Sequence, residues 1–191
     1  MKVVIDTNSL LSLVRYYLPF DKKGVLFQFI KSKIENGDIV IIDKVLEEIT
    51  YNSKGLVLEK LPYLTDKTFL KTARIPYKTD SLLVPNTKLF FHQLNNLFVN
   101  NIVKKSQGLT DVEFENRKGA FIESADMKQV ILSLNLKAKG EQVILVTEET
   151  ESSNDNKLFK KIPAICKVLE IETLTLPELI AKYEGIDIDF Q

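Results

Sequence analysis

Four short apolar runs punctuate the chain, at residues 2–6, 39–42, 142–147 and 170–174. Val3-Val4-Ile5, Ile39-Val40-Ile41-Ile42 and Val143-Ile144-Leu145-Val146 are rich in β-branched residues and do not alternate with polar ones. That pattern predicts strands buried on both faces. Between the runs, apolar residues recur at three- and four-residue spacing, which predicts helices. One runs from Leu10 to Tyr17 and is stopped by Pro19. A second starts at Asp21, buries Val25, Leu26, Phe29, Ile30 and Ile34, and stops at Asn36-Gly37-Asp38. Asp43 caps a third, through Val45 and Ile49. From Tyr51 to Pro85 the prolines at 62, 76 and 85 predict one or two short helices and irregular chain. Asn86 or Thr87 opens an amphipathic helix through Phe90, Leu94, Leu97, Phe98 and Ile102, ended by Lys104-Lys105 and Gly108. A long helix follows Gly119 and runs to about Lys139, with Gly140 as its stop. After a polar loop from Glu148 to Asn156, helices are predicted over Ile162–Leu169 and from Pro177 to Tyr183.

Strands alternating with helices predict βαβ crossovers, hence an α/β fold whose central, mostly parallel sheet carries helices on both faces. The 191 residues suit one domain, or one domain with an insertion. Composition changes this picture little. With 45% apolar residues the chain has enough Leu, Ile, Val and Phe to exclude disorder. No run of about 18 apolar residues occurs, so no membrane span is expected. Cys166 is the single cysteine, which excludes a disulfide scaffold. Met1-Lys2 leads straight into Val3-Val4-Ile5-Asp6, leaving no signal-peptide core, so the cytoplasm is the expected compartment. The net charge of zero hides an asymmetry. Residues 51–125 carry 11 basic and 7 acidic side chains, and the remainder carries 15 basic and 19 acidic. A basic middle beside an acidic remainder suits a nucleic-acid substrate laid over an acidic, cation-binding site.

In parallel α/β sheets the site lies beyond the carboxyl ends of the strands, and acids fall there. Asp6 ends the first strand. Glu148 and Glu149 end the third, and either is a candidate. Asp126 lies on a helix face shared with Ile122 and Val130, where a charge asks for a cation or a donor. On the helix after the second strand, Glu48 stands about 105° from the buried face and Glu47 about 155°, so Glu48 leans toward the crevice. Carboxylates gathered at one rim repel in a dry site, and hard cations such as Mg2+ or Mn2+ relieve that repulsion. Only His92 and Cys166 offer softer ligands, which argues against zinc.

The residues resemble a known family. Val4-Ile5-Asp6-Thr7-Asn8 is similar to the opening motif of PIN domains, which include the VapC-type toxin ribonucleases. Val45-Leu46-Glu47-Glu48-Ile49 resembles their second motif and Ser124-Ala125-Asp126-Met127 their third. Val146-Thr147-Glu148-Glu149 resembles the fourth, in which the acid two after the Thr selects Glu149; many members carry Asp there, and Asp155 is a reserve. Lys161-Ile162-Pro163-Ala164-Ile165-Cys166, with the strand and helix after it, resembles an uncharacterised PIN-like branch, DUF4411.

The resemblance implies a three-layer α/β/α PIN-like fold, with residues about 52–118 as a mainly helical insertion. It implies a metal-dependent endoribonuclease that hydrolyses RNA phosphodiester bonds, with Asp6, Glu48, Asp126 and Glu149 as catalytic and metal-binding residues. Mg2+ or Mn2+ would be the cofactor. Asn8 and Thr147 would orient water or phosphate, and Lys104 and Lys105 would hold the RNA backbone. A toxin of this type acts beside an antitoxin protein. The aromatic run Tyr16, Tyr17 and Phe20 is either an interface, for that partner or for a homodimer, or core. The other reading keeps the fold without the chemistry, as a non-catalytic RNA- or protein-binding module. A HAD-type phosphatase is disfavoured, because Asn8 stands where its second Asp is required.

Overall fold

Burial of the apolar runs sets the architecture. A computed structural model describes residues 1–151 and 156–183. Its sheet is built from β1 (Lys2–Ile5), β2 (Ile39–Val40), β3 (Val143–Val146) and β4 (Glu172–Leu174), in the order β2-β1-β3-β4. Every pairing is parallel. Ile5 pairs with Val146, so the residues that follow, Asp6 and Thr147, emerge side by side. In β1 and β3 the residues Val3, Val4, Ile5, Ile144, Leu145 and Val146 are fully buried, which is why neither run alternates.

The helices are α1 (Thr7–Ser12), α2 (Val25–Glu35), α3 (Asp43–Tyr51), α4 (Leu56–Lys60), α5 (Lys67–Ala73), α6 (Thr87–Gln93), α7 (Asn101–Ser106), α8 (Asp111–Ile122), α9 (Ala125–Ala138), α10 (Ile162–Val168) and α11 (Leu176–Lys182). They enclose the sheet on both sides, giving three α/β/α layers. The larger core cluster joins β1, β2 and most of β3 to α1–α5. A second packs Leu145 against Phe90 and Leu94 near α6, Val130 and Ile131 of α9, and Ile165 and Cys166 of α10. A small third cluster joins Val99, Val103, Phe114 and Leu158. Among the described residues no helix is long and apolar enough to cross a membrane.

Several elements differ from the sequence pattern, each for a local reason. The helix predicted over Leu10–Tyr17 begins at Thr7 and widens into a π-helical turn over Leu13–Tyr17. Pro19 then sits inside a 3₁₀ turn, Leu18–Phe20, where its missing N–H costs nothing. The second helix starts at Val25, not Asp21; Gly24 takes φ +67° before it, and Asp21 reaches forward to accept from the Phe27 N–H at 2.8 Å. The second strand is two residues long, and Ile42 pairs instead with Tyr77. The fourth keeps only residues 172–174, because Glu170 turns the chain at φ +54°.

The helix expected from 86 to 108 is in three pieces. A π-helical turn over Leu94–Phe98 follows α6, Val99 is extended, and Asn100 caps α7. Helix α8, with a capping box of Thr110 and Glu113, contains Gly119 in its body. The long helix begins only after Ser124, whose hydroxyl accepts from the Met127 N–H. Much of 52–118 is helical, as expected.

Candidate functional site

The strand order itself locates a crevice. From β1 the chain first adds β2 on one side, then returns to place β3 on the other. The crossovers therefore diverge between β1 and β3, and in such sheets ligands bind beyond the carboxyl ends at that point. Asp6 closes β1 there, and Thr147-Glu148-Glu149 closes β3.

Asp6 is 3% exposed. It caps α1, accepting from the Ser9 N–H at 2.6 Å, and the Thr147 side chain hydrogen-bonds to it. Burial raises its carboxyl above the ordinary range. The hydrogen bonds from Ser9 and Thr147 oppose that rise, and the charge of Glu148 adds to it. Thr147 is itself buried, and its Oγ1 accepts from the Glu149 N–H at 3.1 Å. One hydroxyl thus ties the end of β1 to the start of the loop after β3. Asn8, next to the capped turn, is exposed.

Glu48 reaches from α3 to the crevice, where its Oε2 accepts from the Thr7 hydroxyl. Asp126 lies in the first turn of α9, on the turn that Ser124 caps. Its side chain is open to water, yet protein walls stand around it. That loss of bulk solvent, followed by the charges of Glu149, Glu48 and Asp6, pushes its carboxyl up to about 6; Lys157 pulls the other way. Asp6, Glu48 and Glu149 thus all lie within electrostatic reach of Asp126.

The two adjacent glutamates part company. Glu149 Oε2 accepts from the Ile162 N–H at the start of α10 at 3.1 Å, and its Oε1 lies 3.9 Å from Lys157 Nζ. Glu148 Oε1 accepts from the Leu176 N–H at the start of α11 at 2.9 Å, and its charge acts on Asp6 and on Tyr17. Glu149 is therefore the one beside Asp126. Asp155 lies outside the described residues.

Three participants escaped the sequence reading. Thr7 holds Glu48, Lys157 pairs with Glu149, and Tyr17 stands near Glu148. Thr7 had a signal, its place directly after the strand-end Asp6; Lys157 sits in a polar loop with no periodicity. Lys104 lies over the Phe114 ring at 3.6 Å, so packing rather than open solvent surrounds it. Lys105 is exposed. Tyr16 and Phe20 are exposed as well, while Tyr17 packs against the core. Cys166 is buried, which pushes its thiol up to about 12.

Every donor from the four acids is a hard oxygen, which suits Mg2+ or Mn2+. Among the described residues no three His, Cys, Asp or Glu side chains are close enough to form a ready-made metal cage. Mg2+ does not need one, being bound through one or two carboxylates with water completing its shell. The donors fit such a cation.

No curated protein and no solved structure matches the chain. A family model described as a domain of unknown function, DUF4411, matches residues 78–185. The matched stretch holds Asp126, Thr147 and Glu149, as well as residues 78–118, whereas Asp6 and Glu48 precede it. Because the match spans more than half of its length, the chain belongs to the DUF4411 family.

Proposed function

We propose that this chain is a PIN-like, metal-dependent endoribonuclease that hydrolyses RNA phosphodiester bonds. The observation that carries the reading is the gathering of Asp6, Glu48, Asp126 and Glu149 beyond the carboxyl ends of β1 and β3, close enough that the charges of the other three add to the effect of burial in raising Asp126 to about 6. The order of the four motifs along the chain supports it as well.

When bound, Mg2+ or Mn2+ supplies a water of lowered pKa and positive charge for the leaving oxygen. The residues of the chain do the positioning. Ser9 and Thr147 fix the Asp6 carboxylate. Thr7 orients Glu48. The Ile162 N–H holds one oxygen of Glu149 and leaves the other toward Lys157. Asp126, raised to about 6, holds its proton only below that pH and gives it up when a cation enters. An antitoxin partner rests on the sequence resemblance alone.

One observation favours a second reading, a non-catalytic binding module: no three of these acids are already in cage geometry. Cleavage of a labelled single-stranded RNA panel in Mg2+ or Mn2+ separates the two. The nuclease reading expects cutting that EDTA and Asp6→Asn both remove. The loss in Asp6→Asn should exceed the roughly 10–100-fold that removal of a ligand's outer partner costs. Folded protein that neither cuts nor binds metal by calorimetry leaves the binding module.

A further inference from the structure

A cavity of about 220 Å³ opens beside the acids, and its lining carries charges of both signs. Asp126 and Glu149 line it together with Lys157, Lys160 and Lys161. Phe121 and Phe159 make an apolar floor, their rings stacked at 4.2 Å and nearly parallel. The volume is below the roughly 300–1,000 Å³ of drug-sized pockets, so it takes one small group rather than a base pair.

The lysine segment is held in place. The Lys160 N–H donates to the Phe98 carbonyl at 2.8 Å, the Asn100 N–H to the Leu158 carbonyl at 2.8 Å, and Val99 pairs antiparallel with Phe159. Three lysines within five residues thus start from a fixed backbone, which lowers the ordering cost of binding. Behind the ring floor, Phe159 also stacks on Phe114, and Lys104 and Lys118 lie over that ring. Lys118 is compensated by Glu115 at 2.6 Å, so of these two Lys104 is the one that adds to the positive potential on this side. Lys160 and Lys161 line the cavity with Lys157, which faces Glu149.

We infer that this cavity is a phosphate subsite for single-stranded RNA, in which Lys160 and Lys161 hold the backbone phosphate next to the one at the acids. The substrate class rests on the nuclease reading, but a binding test needs neither metal nor cleavage. A lysine ammonium is a compact point charge suited to phosphate, and the apolar floor suits the sugar beside it.

The experiment is fluorescence anisotropy of a 5′-labelled 12-nucleotide oligouridylate in EDTA, across a salt series, with the full chain. Lys160→Ala with Lys161→Ala should bind about tenfold more weakly near 0.1 M salt, and its log K against log salt slope should flatten by about 0.7, the share of the one phosphate no longer neutralised. Lys160→Arg with Lys161→Arg should keep the wild-type slope. Affinity and slope unchanged in an alanine variant that melts like wild type overturn the subsite. So does failure of the wild type to bind, or lysine-dependent binding of an RNA duplex as tight as that of the single strand. Lysine-dependent binding by a protein that never cuts RNA removes the nuclease reading and leaves the subsite standing. Metal-dependent cutting with lysine-independent binding does the reverse.

Discussion

Asp126 concentrates the electrostatics of the crevice in one side chain. Its ordinary value of 3.8 is pushed up to about 6, first by loss of solvent and then by Glu149, Glu48 and Asp6. The sign of the effect on stability follows from linkage. A carboxyl raised in the folded state contributes stability that is fully present below 3.8, where both states are protonated, and is lost as pH rises through about 6. In EDTA at pH 8, Asp126→Asn should therefore melt higher than wild type. The two melting curves should converge by pH 4, as scanning calorimetry at the two pH values will show. A variant that melts lower at pH 8 would mean that the carboxylate is compensated by a neighbour, and the crowding argument would fail. The contrast with Glu148 is instructive. The two adjacent glutamates are alike in sequence, and what separates them is which helix each one reaches, α11 for Glu148 and α10 for Glu149. Neither helix lies near that dipeptide in the chain, so strand pattern alone left the choice open, and only the spacing after Thr147 in the motif resemblance pointed to Glu149.

At the scale of elements, the loop after β3 depends on a segment far from it in sequence. Phe159 stacks on Phe121 and Phe114, and its backbone pairs with Val99. Phe159→Ala removes both ring stacks from a partly buried side chain. The cost should be about 2–3 kcal/mol, below the roughly 3–5 typical of a fully buried Phe. Hydrogen exchange should speed at the Lys160 and Asn100 amides beyond what this loss of global stability produces at Val4 in β1. Equal changes at all three would show that the loop does not rely on the stack. The same pairing explains what the sequence could and could not foretell. The buried runs of β1 and β3 declare themselves, because a strand covered on both faces needs continuous apolar residues. The interruption at Val99 does not: Phe90, Leu94, Leu97, Phe98 and Ile102 keep a helical spacing, and only the distant partner Phe159 forces the extended residue. Helix α9 shows the opposite case, where Ser124 at its start was a readable cap yet the chain before it was already helical as α8.

Over the whole molecule, the sheet order decides which acids meet. Placing β1 between β2 and β3 brings a residue from the sixth position next to one from the 147th, and sets α3 and α9 where Glu48 and Asp126 face them. The sequence announced four strands but not their order, so convergence of the acids was an expectation until that order was seen. The arrangement leaves Asp6 and Asp126 both raised, first by burial and then by repulsion from neighbouring acids. A divalent cation that binds the folded chain should release it. At a free concentration of about 100 times its Kd, such a ligand stabilises by about 2.7 kcal/mol. For a domain of this size that is a rise in Tm of roughly 5–10 °C. Asp126 must lose its proton as the cation enters, so the rise should be greater at pH 8 than at pH 5.5. Asp6→Asn should lose most of it, and NaCl at matched ionic strength should not reproduce it. A melting temperature indifferent to Mg2+ and Mn2+ at both pH values would mean that the acids tolerate one another without a cation, and the crevice would then be a binding surface rather than a hydrolytic one.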